Sequence, residues 1–162
     1  MAKSSPNPSW NRIKRVLPRG NDPTLVILKG HLLIEEQLSR LIASHCCKPT
    51  RLEGARLSFA QKVKLADGLS GCLSGSGFPL LTSLEKLNAV RNRMAHHADV
   101  PDLNQRVDEY LRSWDAADFR PPSGQRERIR WLRNTLIIQI GLLSGFGRAS
   151  ESMNLAPNLP KT

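Results

Sequence analysis

The sequence predicts an all-α protein, an antiparallel helical bundle of about five helices. Apolar residues recur at spacings of three and four in several separate stretches. No alternating strand pattern bounded by hairpin turns occurs. The chain has 162 residues, 40% hydrophobic and 23% charged, enough for one domain with a real core and not a disordered composition. The expected organisation is a basic, partly ordered N-terminal arm over residues 1–21, a single helical domain over 22–147 and a polar C-terminal tail over 148–162.

The elements follow in order. The arm is rich in Pro, Ser, Asn and Arg, and Trp10 is expected to anchor it by packing back on the domain. Asp22-Pro23 marks a helix start, with Asp22 as cap and Pro23 in the first turn, and the helix runs on to about His45. At about 100° per residue, Lys29, Glu36 and Arg40 fall together and most of the remaining circumference is apolar. That pattern implies burial on more than one side. His31 and Glu35 interrupt it: they are four apart and share a face with Leu28, Leu38 and Ile42. A polar pair within an apolar stripe needs partners, so it is either a hydrogen-bonded structural pair or part of a site.

After a loop over 48–57, Ser58 caps a helix from Phe59 to about Leu69, with Val63, Ala66 and Leu65 or Leu69 inward. Residues 70–77 form a Gly- and Ser-rich connector with none of the features of a phosphate-cradling loop. The next helix runs from about Leu80 to His96 or His97, with Leu80, Leu84, Leu87, Val90 and Met94 as its core stripe. On a helical wheel Asn92 and His96 lie opposite that stripe, while Arg91 and His97 border it on either side. Pro101-Asp102 opens a shorter helix whose inner side is Leu103, Val107, Tyr110 or Leu111, and Trp114. The last helix spans about Gln125 to Leu143 and ends at Gly145-Phe146-Gly147. Its second half is mostly apolar with Gln139 as the one polar side chain, either the centre of the bundle or a dimer contact.

The net charge of +10 points to a polyanionic partner, most readily nucleic acid. Arg12, Lys14, Arg15 and Arg19 form one basic group; Arg126, Arg128 and Arg130, with Arg120 and Arg133, form another. With one tyrosine and no aromatic ladder, base stacking is not the expected binding mode. Cys46, Cys47 and Cys72 lack zinc-site or redox-motif spacing and read as small hydrophobes in a reducing compartment. The first residues carry no apolar signal-peptide core, and no apolar run approaches the ~18 residues of a membrane span. A cytoplasmic protein without membrane contact is the expectation.

The run Arg91-Asn92-Arg93-Met94-Ala95-His96-His97 concentrates chemistry. RNA is cut without metal when a base removes the 2'-hydroxyl proton and the oxygen attacks the adjacent phosphorus. Histidine suits that transfer near neutral pH, and arginine stabilises the phosphoryl oxygens. An amide orients the phosphate or the imidazole. No metal-ligand set is evident, and no cofactor is expected. Cations at a helix C-terminus also have a purely structural explanation, because they favour the helix dipole.

Leu87-x-x-Val90-Arg91-Asn92-x-x-Ala95-His96 resembles the signature of the HEPN superfamily, an Arg followed after four to six residues by His, often with Asn directly after the Arg. Leu57-Ser58-Phe59-x-x-Lys62-Val63-x-Leu65-Ala66 resembles the middle segment of its mannitol-repressor-like members, and Gly30-His31-Leu32-x-Ile34-Glu35-x-x-Leu38 their first helix. The resemblance covers roughly residues 24–97. It implies an antiparallel bundle that forms a homodimer with two Arg-His motifs near a shared cleft. It also implies metal-independent endoribonuclease activity leaving a 2',3'-cyclic phosphate, as in toxin or phage-defence systems, where an antitoxin or regulatory protein is a further partner. Other members are non-catalytic regulators or adaptors that bind protein or nucleic acid. A structural or DNA-binding helical protein outside this family is the remaining reading. On the matched positions Arg91, Asn92 and His96 are the catalytic candidates, with Arg93, His97, His31 and Glu35 supporting. His97 also satisfies the spacing, so both histidines stand. Arg91 and His96 lie about 140° apart on one regular helix, which calls for a long arginine reach, an unwound helix end or residues from two subunits.

Overall fold

A computed structural model describes residues 10–97, 99–115 and 117–154, with the side chains of 10, 11, 153 and 154 excepted. The described residues form seven α-helices, a 3-10 turn over Pro49–Leu52 and no strand. The helices are α1 (Trp10–Val16), α2 (Pro23–His45), α3 (Phe59–Ser70), α4 (Cys72–Gly75), α5 (Leu80–His96), α6 (Leu103–Trp114) and α7 (Gln125–Asn154).

Local signals set several of these boundaries. Asp22 accepts from the backbone N–H groups of Thr24 and Leu25, and Pro23 needs no hydrogen-bond partner for the N–H it lacks. Ser58 and Gln61 form a reciprocal capping box at the start of α3. Gly71, at φ 62°, closes α3 in the left-handed region that a side chain disfavours. The expected Gly/Ser connector then makes the one-turn α4, whose Leu73 is fully buried.

The core is built around α2, which contacts α3, α5 and, most extensively, α7. The α2–α7 seam is parallel, which corrects the expected antiparallel arrangement for the principal helix pair. Arg133 donates to the carbonyls of Pro18 and Gly20 just before α2, Gly30 meets Leu136, and His45 lies 3.1 Å from Ser150 Oγ, so the contacts advance together along both segments. Four intervening helices leave the direction of α7 free, whereas a short loop would force antiparallel neighbours. At residue 30 a Cβ would lie 2.5 Å from Leu136 Cδ1, so any side chain there would force the buried Leu136 to shift.

Further details concern the two ends of the domain and α2. The arm contains α1, and Ile13 and Leu17 sit in the core because they present apolar side chains at a spacing of four. The anchoring role expected of Trp10 falls on a side chain outside those described. Helix α7 does not end at Gly145-Phe146-Gly147 but continues to Asn154. A glycine costs a helix only about 1 kcal/mol, and Phe146 packs against the core on the way. Finally, α2 is buried on more than one side, against α3, α5 and α7, while Leu25, Leu28 and Leu32 remain 42%, 38% and 59% exposed.

The apolar half of α7 is the centre of the bundle, with Leu136, Ile140 and Leu143 buried. Gln139, the polar exception, is satisfied there. Tyr110 Oη donates to its Oε1 at 2.8 Å, and its Nε2 donates to Ser83 Oγ at 2.6 Å, tying α5, α6 and α7 together. Burial pushes the Tyr110 phenol well above its ordinary pKa, so it remains a donor.

Candidate functional site

Helices α2, α3 and α5 enclose a cleft of about 360 Å³ lined by His31, Glu35, Ser58, Phe59, Ala60, Asn88, Arg91 and Asn92. Its size falls at the small end of ligand sites, about 300–1,000 Å³. Each helix contributes through simple spacing. His31 and Glu35 are one turn apart on α2. Asn88, Arg91 and Asn92 are three and four apart on α5 and share one face. The capped first turn of α3 brings Ser58 and Phe59 to the cleft and holds Lys62 behind it.

His31 is 4% exposed. Its ring stacks on Phe59 with centroids 4.0 Å apart, and its Nε2–H donates to Asn88 Oδ1 at 3.3 Å. The other nitrogen, Nδ1, stands 4.0 Å from Glu35 Oε2. Lys62 Nζ donates to the second Glu35 oxygen at 2.8 Å. Burial holds the His31 imidazole below its ordinary pKa of 6.5; Asn88 and Glu35 oppose that shift, and the positive charges of Arg91 and Lys62 add to it. The ring is therefore neutral at pH 7. Arg91 is half-buried, and Nη1 donates to the amide oxygen of Asn92 at 3.3 Å. Among the described residues no carboxylate pairs with it.

The structure thus brings Arg91 and Asn92 together with His31 and Glu35. It does not bring His96 to them: that side chain is exposed and does not line the cleft. His97 caps the C-terminus of α5, and its Nε2 accepts from Arg93 Nη1 at 2.8 Å. The separation expected from the helical wheel is retained because α5 stays regular through His96. Lys62 and Asn88 were not singled out as site residues. Asn88 had a legible signal, since it lies one turn before both Arg91 and Asn92. Lys62 had none beyond its place in the segment after Ser58.

The basic groups divide. Arg12 donates to both oxygens of Glu36, at 3.1 and 2.9 Å, and Arg40 shares that carboxylate. Arg128 forks onto Asp108 at 2.7 and 2.9 Å, and Arg130 meets Glu127 at 3.1 Å. Lys14, Arg15, Arg19 and Arg126 are exposed. Among the described residues no helix is long and apolar enough to cross a membrane, and no group of three or more His, Cys, Asp or Glu is arranged to hold a metal ion. The chain matches no family model, no curated protein and no solved structure.

Proposed function

We propose that this chain is a HEPN-like, metal-independent endoribonuclease that works as a homodimer. The observation that carries the reading is Arg91, a half-buried guanidinium without a carboxylate partner among the described residues, beside Asn92 and a neutral imidazole in one cleft. A phosphodiester supplies the countercharge such an arginine lacks. Arg91 holds the phosphoryl oxygens and stabilises the charge that builds on them, and Asn92 orients the group. Attack of the 2'-oxygen then leaves a 2',3'-cyclic phosphate. The resemblance assigns the proton transfer to His96. Lys14, Arg15, Arg19 and Arg126 are free to hold the RNA backbone. The exposed Leu25, Leu28 and Leu32 run along α2 one turn from His31 and Glu35 and offer a second copy an apolar face beside the cleft.

The test is incubation of the purified protein with mixed RNA in EDTA, beside Arg91→Ala and His96→Ala. Cleavage by the wild type that is lost in Arg91→Ala supports the reading. Absence of cleavage on several RNAs by protein with a cooperative melt overturns it. The second reading, a non-catalytic HEPN-like regulator or adaptor, is favoured by the position of His96 outside the cleft and would then stand.

A further inference from the structure

We infer that His31 is the base of this site, its Nδ1 taking the 2'-hydroxyl proton of an RNA strand whose phosphate Arg91 holds, so that the attacking step is completed within one subunit. The inference rests on the ribonuclease reading and departs from it in the residue that moves the proton.

Of the histidines, His31 is the one that lines the cleft with Arg91 and Asn92. His45 is tied by Nδ1 to the Leu41 carbonyl at 2.9 Å and lies beside Ser150. His96 is exposed, and the Nε2 of His97 is already accepting from Arg93. Within His31 the two nitrogens have separate roles. Nε2 carries the hydrogen that Asn88 accepts, which leaves the lone pair on Nδ1. The Phe59 ring fixes the plane of the imidazole. Once Nδ1 takes a proton, the carboxylate of Glu35 4.0 Å away stabilises the imidazolium, and Lys62 fixes that carboxylate from its other oxygen. The charged groups that face the ring are Glu35 from α2, Lys62 from α3 and Arg91 from α5. Burial together with the two cations keeps the ring neutral and ready to accept.

The step balances as follows. The 2'-hydroxyl proton passes to Nδ1 as the O2'–P bond forms. The P–O5' bond breaks, and the departing oxygen takes a proton from solvent water. The imidazolium then returns its proton to solvent. Arg91 lies over the phosphoryl oxygens throughout.

The experiment uses the full chain with two matched oligonucleotides, one all-ribose and one with 2'-fluorine throughout, which binds but has no hydroxyl to deprotonate. Imidazole resonances of the wild type are assigned from their loss in His31→Asn and His96→Ala. The expected result is that the fluorinated strand shifts the His31 resonance in the wild type but not in Arg91→Ala. His31→Asn and His31→Gln bind that strand within about threefold of wild type yet cleave the ribose strand about 100-fold or more slowly, the scale of a lost general base. The loss in His31→Asn exceeds that in His96→Ala by at least tenfold. The ascending limb of the wild-type pH–rate profile has the midpoint of the His31 resonance, a measurement that stands even where a variant fails to fold. Wild-type cleavage that survives both His31 variants, that depends more on His96, or that follows another histidine's midpoint overturns this inference and leaves the ribonuclease reading intact. A folded wild type that cuts no RNA overturns both.

Discussion

Two regions of this protein use arginine in opposite ways. The start of α7 has the denser charge, yet Arg128 is forked onto Asp108, Arg130 is paired with Glu127, and Arg133 donates to the carbonyls of Pro18 and Gly20. These guanidinium groups hold α6, α7 and the entry to α2 in place. In the cleft, by contrast, the one side-chain partner of Arg91 among the described residues is the neutral amide oxygen of Asn92. Charge density along a chain therefore does not locate a site for an anion. A cation without a carboxylate partner among the described residues is the better candidate, because it retains its capacity to bind an anion.

The contrast predicts a double dissociation, and its largest effect is at Arg91. Arg91→Ala lowers kcat/KM for RNA cleavage by about 10²–10³-fold, the scale of removing a donor from a developing oxyanion. Its melting temperature stays close to wild type, since no ion pair is broken. Arg128→Ala does the reverse. It strands Asp108, whose side chain is only 23% exposed, and the loss of that charge-assisted fork costs about 1–3 kcal/mol of folding stability. Cleavage per folded molecule changes little. Equal catalytic losses in the two variants would show that the α7 arginines belong to the site and would break the contrast.

A smaller effect separates exposed cations from paired ones. For single-stranded RNA, each fully neutralised phosphate contributes about 0.7 to the slope of log affinity against log salt. Arg126, exposed on α7, should account for up to that amount, and Arg126→Ala flattens the slope accordingly. Arg128 already has its carboxylate, so its alanine variant leaves the slope unchanged. Filter binding from low to moderate salt reads both. The apolar face of α2 gives a parallel test: Leu32→Glu places a charge where 59% of the side chain is exposed. It should shift sedimentation toward monomer without lowering the melting temperature measured at concentrations where the wild type is also monomeric.

Much of the fold was legible because its signals are local. The Asp22 and Ser58 caps and the stripe Leu80, Leu84, Leu87, Val90 each depend on a few neighbouring residues. The parallel α2–α7 seam was not legible, because it depends on Gly30 accepting Leu136 across more than a hundred residues. The run of α7 past Gly145 and Gly147 was hidden for a similar reason: local breakers were overridden by tertiary packing of Phe146. At the site, a wheel of α5 alone correctly separated Arg91 from His96, but one helix cannot reveal what another brings. His31 and Glu35 stood out as polar residues in an apolar stripe. Their meeting with Lys62, Asn88 and Arg91 appears only when three helices close on one another.

The smallest effect tests that meeting directly, through stability rather than activity. Burial lowers the His31 pKa from its ordinary 6.5, with the charges of Arg91 and Lys62 acting in the same direction. Below that ordinary value the unfolded chain binds a proton at this position that the folded chain resists, so acidification favours unfolding. The neutral ring's contribution is therefore fully present above pH 6.5 and is lost as pH falls below it toward the folded-state value. The wild-type melting temperature should decline between about pH 7 and 5, above the range where most carboxylates titrate. His31→Asn removes that part of the decline whatever it does to stability at pH 7. An acid slope that persists undiminished in His31→Asn would mean that residue 31 is not held neutral by the cleft, and the meeting of His31 with Arg91 and Lys62 would lose its support.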